Sequence, residues 1–187
     1  MKGIMFTENL FSAVVDGRKT QTRRVIKDAT YFNIPPSWDF IFIDKDGEFV
    51  FADSNRMQGW SFKPRYSSGE TLYLKEPYRF DKWDNIEYAF DIHISQRKGL
   101  RFQTKLFMPE KYARHFIQII SVKAERLQDI SARDIRNEGV PIPKGIGGDT
   151  NLRLTASWVS LWNGINKTPY SWEENPWVWV YEFRLKK

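Results

Sequence analysis

Residues 17 to 24 read Gly-Arg-Lys-Thr-Gln-Thr-Arg-Arg, which sets one lysine, two threonine hydroxyls and three arginines on a short stretch of chain. Two kinds of chemistry suit this inventory. Cations can meet the phosphates of a nucleic acid. A lysine that is desolvated, or set beside another cation, releases its proton readily enough to act as a general base, and a threonine hydroxyl needs such a base before it attacks a carbonyl. The plainest alternative is a solvated basic loop behind a helix, where the dipole favours cations.

The preceding segment predicts that helix. From Thr7 to Asp16, Leu10, Phe11, Val14 and Val15 fall on one face at helical spacing, Thr7 can serve as the N-cap, and Gly17 supplies a left-handed stop. Beyond Gly17, Lys19, Gln21 and Arg23 alternate with Thr20, Thr22 and Arg24. A strict strand separates Lys19 from Thr22, whereas a turn around Thr20 brings them together, and the sequence leaves both open.

Elsewhere the pattern is mainly that of strands. Asp44-Lys45-Asp46-Gly47 predicts a hairpin turn between apolar stretches within residues 40–51, followed by a polar link. Residues 71–75 read as a half-buried strand ended by Pro77, residues 84–94 as a further strand, and residues 116–122 as a strong one. Met108 to Tyr112 reads as a short turn. Ser131 with Asp134 predicts a capped short helix over residues 132–137, which sets Glu138 at its last turn. Residues 141–151 are rich in glycine and proline and read as an exposed, mobile loop. Trp158, Leu161, Trp162 and Ile165 follow at helical spacing, as core packing rather than a base-stacking platform, and residues 176–185 alternate as a closing strand.

A chain of 187 residues with 41% hydrophobic residues suits one well-buried core, and its apolar runs are too short to span a bilayer. Nothing at the amino terminus resembles a signal peptide, so the expectation is a soluble, cytoplasmic protein without a membrane partner. The absence of cysteine excludes disulfides, thiol nucleophiles and thiolate zinc sites. His93 and His115 lack metal-ligand spacing, and no phosphate-binding glycine loop or serine-nucleophile elbow is present, so neither a metal nor another cofactor is expected. A net charge of +6 favours anionic partners.

Taken together, these residues resemble the ASCH domain, a barrel related to the PUA RNA-binding fold. Gly17-x-Lys19-Thr20-x-Thr22-x-Arg24 looks like its signature. Gly69-Glu70-Thr71-Leu72-Tyr73-Leu74 resembles its central strand, and Leu127-Gln128-Asp129-Ile130 through Glu138-Gly139 resembles the strand-to-helix segment that follows. Lys75 to Tyr78, Met108 to Ala113 and Asn175 to Val180 are similar to landmarks of the longer bacteriophage and prophage members, and that is the closer likeness. The resemblance implies an α+β fold, a small PUA-like antiparallel β-barrel flanked by short helices. It would form a single domain over residues 1–187, with insertions at about 27–66, 79–107 and 141–175.

More distantly the chain is similar to a bacterial branch that removes the acetyl group from N4-acetylcytidine. By motif, its lysine base, threonine nucleophile and glutamate proton donor fall on Lys19, Thr22 and Glu138, with no metal or other cofactor. Glu76 is a second carboxylate expected near the site, where pairing with Lys19 or Arg24 would keep the lysine protonated.

Three functions therefore stand as expectations. The first is binding of a nucleic acid, RNA more than DNA, or of a nucleoside or nucleotide, with Arg18, Thr20, Arg23, Arg24 and Glu76 lining a basic cleft. The second is amide hydrolysis of an N4-acylated cytidine by Lys19, Thr22 and Glu138. The third is a phage accessory role through protein contacts, in which Trp60 and Trp83 would be exposed.

Overall fold

The computed structural model describes residues 1–27, 34–35, 37–141 and 149–186. Its main sheet has five strands in the order β1 (Lys2–Met5), β6 (Thr71–Lys75), β9 (Phe116–Arg126), β10 (Trp177–Lys186) and β2 (Gln21–Val25). The first pair is parallel and the others antiparallel, so the sheet is mixed rather than purely antiparallel. It is not closed into a barrel by strand pairing, because β1 and β2 remain as edges. One side chain crosses between them: Nη2 of Arg24, on β2, donates to Met5 O, on β1, at 2.8 Å.

Helix α1 (Glu8–Val15) follows β1 and buries Phe11, Ala13 and Val14. Thr7 occupies its N-cap position, but its side chain accepts no capping bond. Gly17 takes φ +74°, the left-handed stop that its position predicts. The expected hairpin is β3 (Asp39–Ile43) with β4 (Phe49–Ala52), and the expected polar link contains a third strand of that sheet, β5 (Gly59–Phe62). Phe49 and Phe51 meet Trp179 and Trp177 edge to face at 4.7 and 5.1 Å, which joins this small sheet to the main one.

The segment expected as a strand over 84–94 is strand only at β8 (Ile86–Tyr88), paired with β7 (Tyr78–Phe80). Single 3-10 turns follow, at Ala89–Asp91, Ile94–Gln96, Lys105–Phe107 and Glu110–Tyr112. Strand β6 is buried on both faces through Leu72, Tyr73 and Leu74, because it is interior to the sheet; the Tyr73 hydroxyl donates to Met108 O. Ser131 and Asp134 form a reciprocal capping box on α2 (Ala132–Asn137). Helix α3 (Thr150–Ile165) begins earlier than its apolar pattern predicts, capped by Asp149; Trp158 and Trp162 are core, while Ile165 is exposed. Most of the glycine-rich loop expected over 141–151 lies outside the described residues.

Alternation along β10 divides two cores. Trp179, Tyr181 and Phe183 face the phenylalanine-rich core with Phe6 and Phe11, whereas Val178 and Val180 face Leu127, Ile135, Leu154, Trp158 and Trp162 under α2 and α3. No helix among the described residues is long and apolar enough to cross a membrane.

Candidate functional site

The octet is pinned at its middle. Lys19 N–H donates to Ala13 O, Thr20 N–H to Asn137 O, and Phe183 N–H to Thr20 O, each at 2.8 Å. Lys19 and Glu138 are partners in an isolated antiparallel bridge, made possible by Gly139 at φ +80°. The end of α2 is thereby held against the start of β2.

Within β2 the alternation separates two sets of side chains. Gln21 and Arg23 belong with Val178 and Val180, while Thr22 and Arg24 lie opposite Tyr181 and Trp179. Lys19 is not simply assigned to the first set. Its Nζ and the Arg24 guanidinium each stand 5.5 Å from the centroid of the Phe6 ring, so both cationic heads share that ring.

Lys19 and Glu138 are both buried. The three ammonium protons of Lys19 go to Gln21 O at 2.8 Å, Glu138 O at 2.9 Å and Glu138 Oε2 at 2.6 Å, so none is directed to Thr22. Burial pushes the Lys19 pKa down; Glu138 opposes this, and the charges of Arg24 and Arg23 add to it. The other oxygen of Glu138 accepts from Arg23 Nη1 at 3.0 Å. Arg23 also binds Gln21 Oε1 and the carboxylate of Glu125, and its side chain has no exposed surface. A phosphate contact expected of Arg23 gives way to this internal role.

Thr22 is 4% exposed as a residue, and its hydroxyl makes no hydrogen bond to the described residues, though it is not among the side-chain atoms shut off from solvent without a partner, Arg153 Nε and Trp158 Nε1. Arg24 is half-buried, and the bond to Met5 O is the only hydrogen bond its side chain makes to the described residues. Burial lowers its pKa too. Around this face lie Phe6, with Phe183 at 6.2 Å, and the Tyr66–Tyr181 pair at 5.3 Å. Burial raises the pKa of both tyrosines. Sequence reasoning missed Phe6 and Lys105, whose ammonium donates to Phe6 O. No periodicity or motif marks either residue as part of a site.

Glu76 is fully buried but joins neither Lys19 nor Arg24. It accepts from Arg114 Nε at 2.7 Å and Nη2 at 2.8 Å, and Arg114 also holds Asp91. Strand register is the reason: Tyr73 pairs with Phe116, which carries Arg114 alongside the chain that leaves β6. The group that opposes the lowering of the Lys19 pKa is thus Glu138 itself.

Arg18 and Thr20 are exposed, and each lines an open cleft. Arg18, salt-bridged to Asp16, borders one of about 460 Å³ with Leu10, Val140 and Leu161. Thr20 borders one of about 210 Å³ with Ile120, Asn137 and Phe183. Neither of these two clefts includes Thr22 or Arg24. Comparison with protein-family models, with curated proteins and with solved structures finds no match.

Proposed function

We propose that this chain is an ASCH-type, PUA-like domain of the phage and prophage kind. On this reading its five-stranded sheet is a barrel closed at β1 and β2 by side chains, and it holds a nucleoside, a nucleotide or a nucleic-acid strand, RNA more than DNA. The observation that carries the reading is the placing of Thr22 and Arg24 on one sheet face, a hydroxyl with no hydrogen bond to the described residues beside a guanidinium with a single one. Polar groups with bonding capacity that the protein leaves unused can bond a ligand. Arg18 and Thr20, each exposed at a cleft, extend the contact along a strand, while Arg23 supports the site from within through Glu138. Titration with nucleosides, RNA and DNA at low salt tests the reading. Affinity that falls steeply along a salt series is expected for the strands, and no affinity for any of them overturns it.

A second reading, amide hydrolysis of an N4-acylated cytidine, draws on the contact between Lys19 and Glu138. Transfer of one proton from the ammonium to the carboxylate converts the ion pair to a neutral amine and a carboxylic acid, the base and acid that such a reaction needs. Thr22 would pass its proton to the Lys19 amine and attack the amide carbonyl, Glu138 would protonate the departing cytidine amine as the C–N bond breaks, and water would then release the acyl group from Thr22 as a carboxylic acid. Incubation with N4-acetylcytidine decides it: release of cytidine by the wild type but not by Thr22→Ala supports hydrolysis, and equal inertness of both removes it for that substrate. A protein-contact role draws on the exposure of Trp60 and Trp83.

A further inference from the structure

Lys105 comes from the segment between β8 and β9, far from the octet in sequence. Its ammonium is held on Phe6 O, and Arg24 is held on Met5 O, so two cations are fixed on consecutive carbonyls at the end of β1. Several other cations are ion-paired, Lys19 with Glu138, Arg23 with Glu125 and Glu138, Arg97 with Glu8, and Arg114 with Glu76 and Asp91, while half-buried Lys75 is held on Leu106 O. Lys105 and Arg24 have no carboxylate within salt-bridge distance among the described residues. Both are half-buried. Burial, and after it repulsion from Arg24, lowers the pKa of Lys105.

Spare bonding capacity accompanies the spare charge. Lys105 uses one of its three donors and Arg24 one of its five. Two like charges brought together out of water are unfavourable until an anion joins them. A planar guanidinium fork beside a compact ammonium matches the several oxygens of a phosphate better than the two of a carboxylate.

Resting on the reading of the Thr22 and Arg24 face as a nucleoside site, we infer that Lys105 and Arg24 form a phosphate subsite of it, so that the ligand is a nucleotide rather than an unphosphorylated nucleoside. The phosphate is that of a free mononucleotide or of a nucleic-acid strand. Arg24 serves both parts of the ligand, and Lys105 meets the phosphate alone.

The test is calorimetric titration at low salt with the four ribonucleosides, their 5′-monophosphates and a short oligoribonucleotide. Wild type, Lys105→Met and Lys105→Arg are compared after thermal melts establish that each is folded. A phosphorylated ligand is expected to bind the wild type about ten-fold tighter than its nucleoside, the effect of one charge-assisted hydrogen bond. Lys105→Met should erase that advantage and leave nucleoside affinity unchanged, and Lys105→Arg should retain it. Preference for the monophosphates identifies a mononucleotide, and preference for the oligonucleotide identifies a strand. Equal affinity for nucleoside and nucleotide overturns the subsite and leaves the nucleoside site standing, as does an advantage that survives in Lys105→Met. Absence of binding by every probe overturns both.

Discussion

Lys19 and Glu138 are joined three times, as partners in an isolated antiparallel bridge and through Nζ contacts of 2.9 Å to Glu138 O and 2.6 Å to Oε2. The same carboxylate accepts from Arg23, so one anion balances two buried cations. Removing it strands Lys19 and leaves Arg23 to Glu125 alone, whereas removing Lys19 leaves Glu138 with Arg23. Glu138→Gln is expected to cost about 3–5 kcal/mol and Lys19→Met about 1–3 kcal/mol. Urea unfolding gives the order; equal losses would mean that Arg23 does not share the charge.

Gly139 and Gly17 both have positive φ, +80° and +74°, but only one is crowded. A Cβ on Gly139 would stand 2.9 Å from Cβ of Lys19 and 3.0 Å from Cβ of Ala13, while nothing lies within 4 Å of one on Gly17. Gly17→Ala should therefore cost about 1 kcal/mol from backbone strain alone, and Gly139→Ala about 2–4 kcal/mol from strain and contact together. Thermal melts compare them, and similar losses would show that the bridge to Lys19 yields easily.

Thr22→Val keeps the shape of a buried side chain and removes a hydroxyl that bonds to nothing described. Its unfolding free energy should stay within about 1 kcal/mol of the wild type, while ligand affinity or turnover falls. A marked loss of stability would mean that the hydroxyl is structural.

His115 sits edge-on to Phe11 at 5.7 Å. Burial and the neighbouring Arg114 charge hold its imidazole below the ordinary 6.5, against the pull of Glu76 and Asp91. Between the depressed value and 6.5 the unfolded chain binds more protons than the folded one, so stability rises with pH through that window and is unaffected by this group above it. Wild type should lose more stability than His115→Gln on acidification from about pH 7.5 to about pH 5. Parallel slopes in chemical denaturation across that range would exclude the effect.

Local and periodic signals explain how much was legible in the sequence. The Gly17 stop, the Ser131 and Asp134 cap and the alternation along β10 are written in adjacent residues and appear where the pattern sets them. Strand β5 escaped because Gly59, Trp60 and Ser61 are all exposed and show no alternation. The partner of Glu76 depends on the register between β6 and β9, which no short segment encodes. Lys105 depends on which segment folds over Phe6, a contact that spans 99 positions. Side chains set by distant parts of the chain are thus where the site departs from its motif.

The position of β10 between β9 and β2 has a consequence for biosynthesis. Strand β2 precedes β10 in the chain and pairs with no other strand among the described residues, so its backbone donors and acceptors wait until residues 177–186 leave the ribosome. Until then both cores lack a wall, since β10 supplies aromatic side chains to one and valines to the other. The nascent chain must pass through a long interval with an unpaired edge and exposed phenylalanines, the state in which a protein depends most on chaperones.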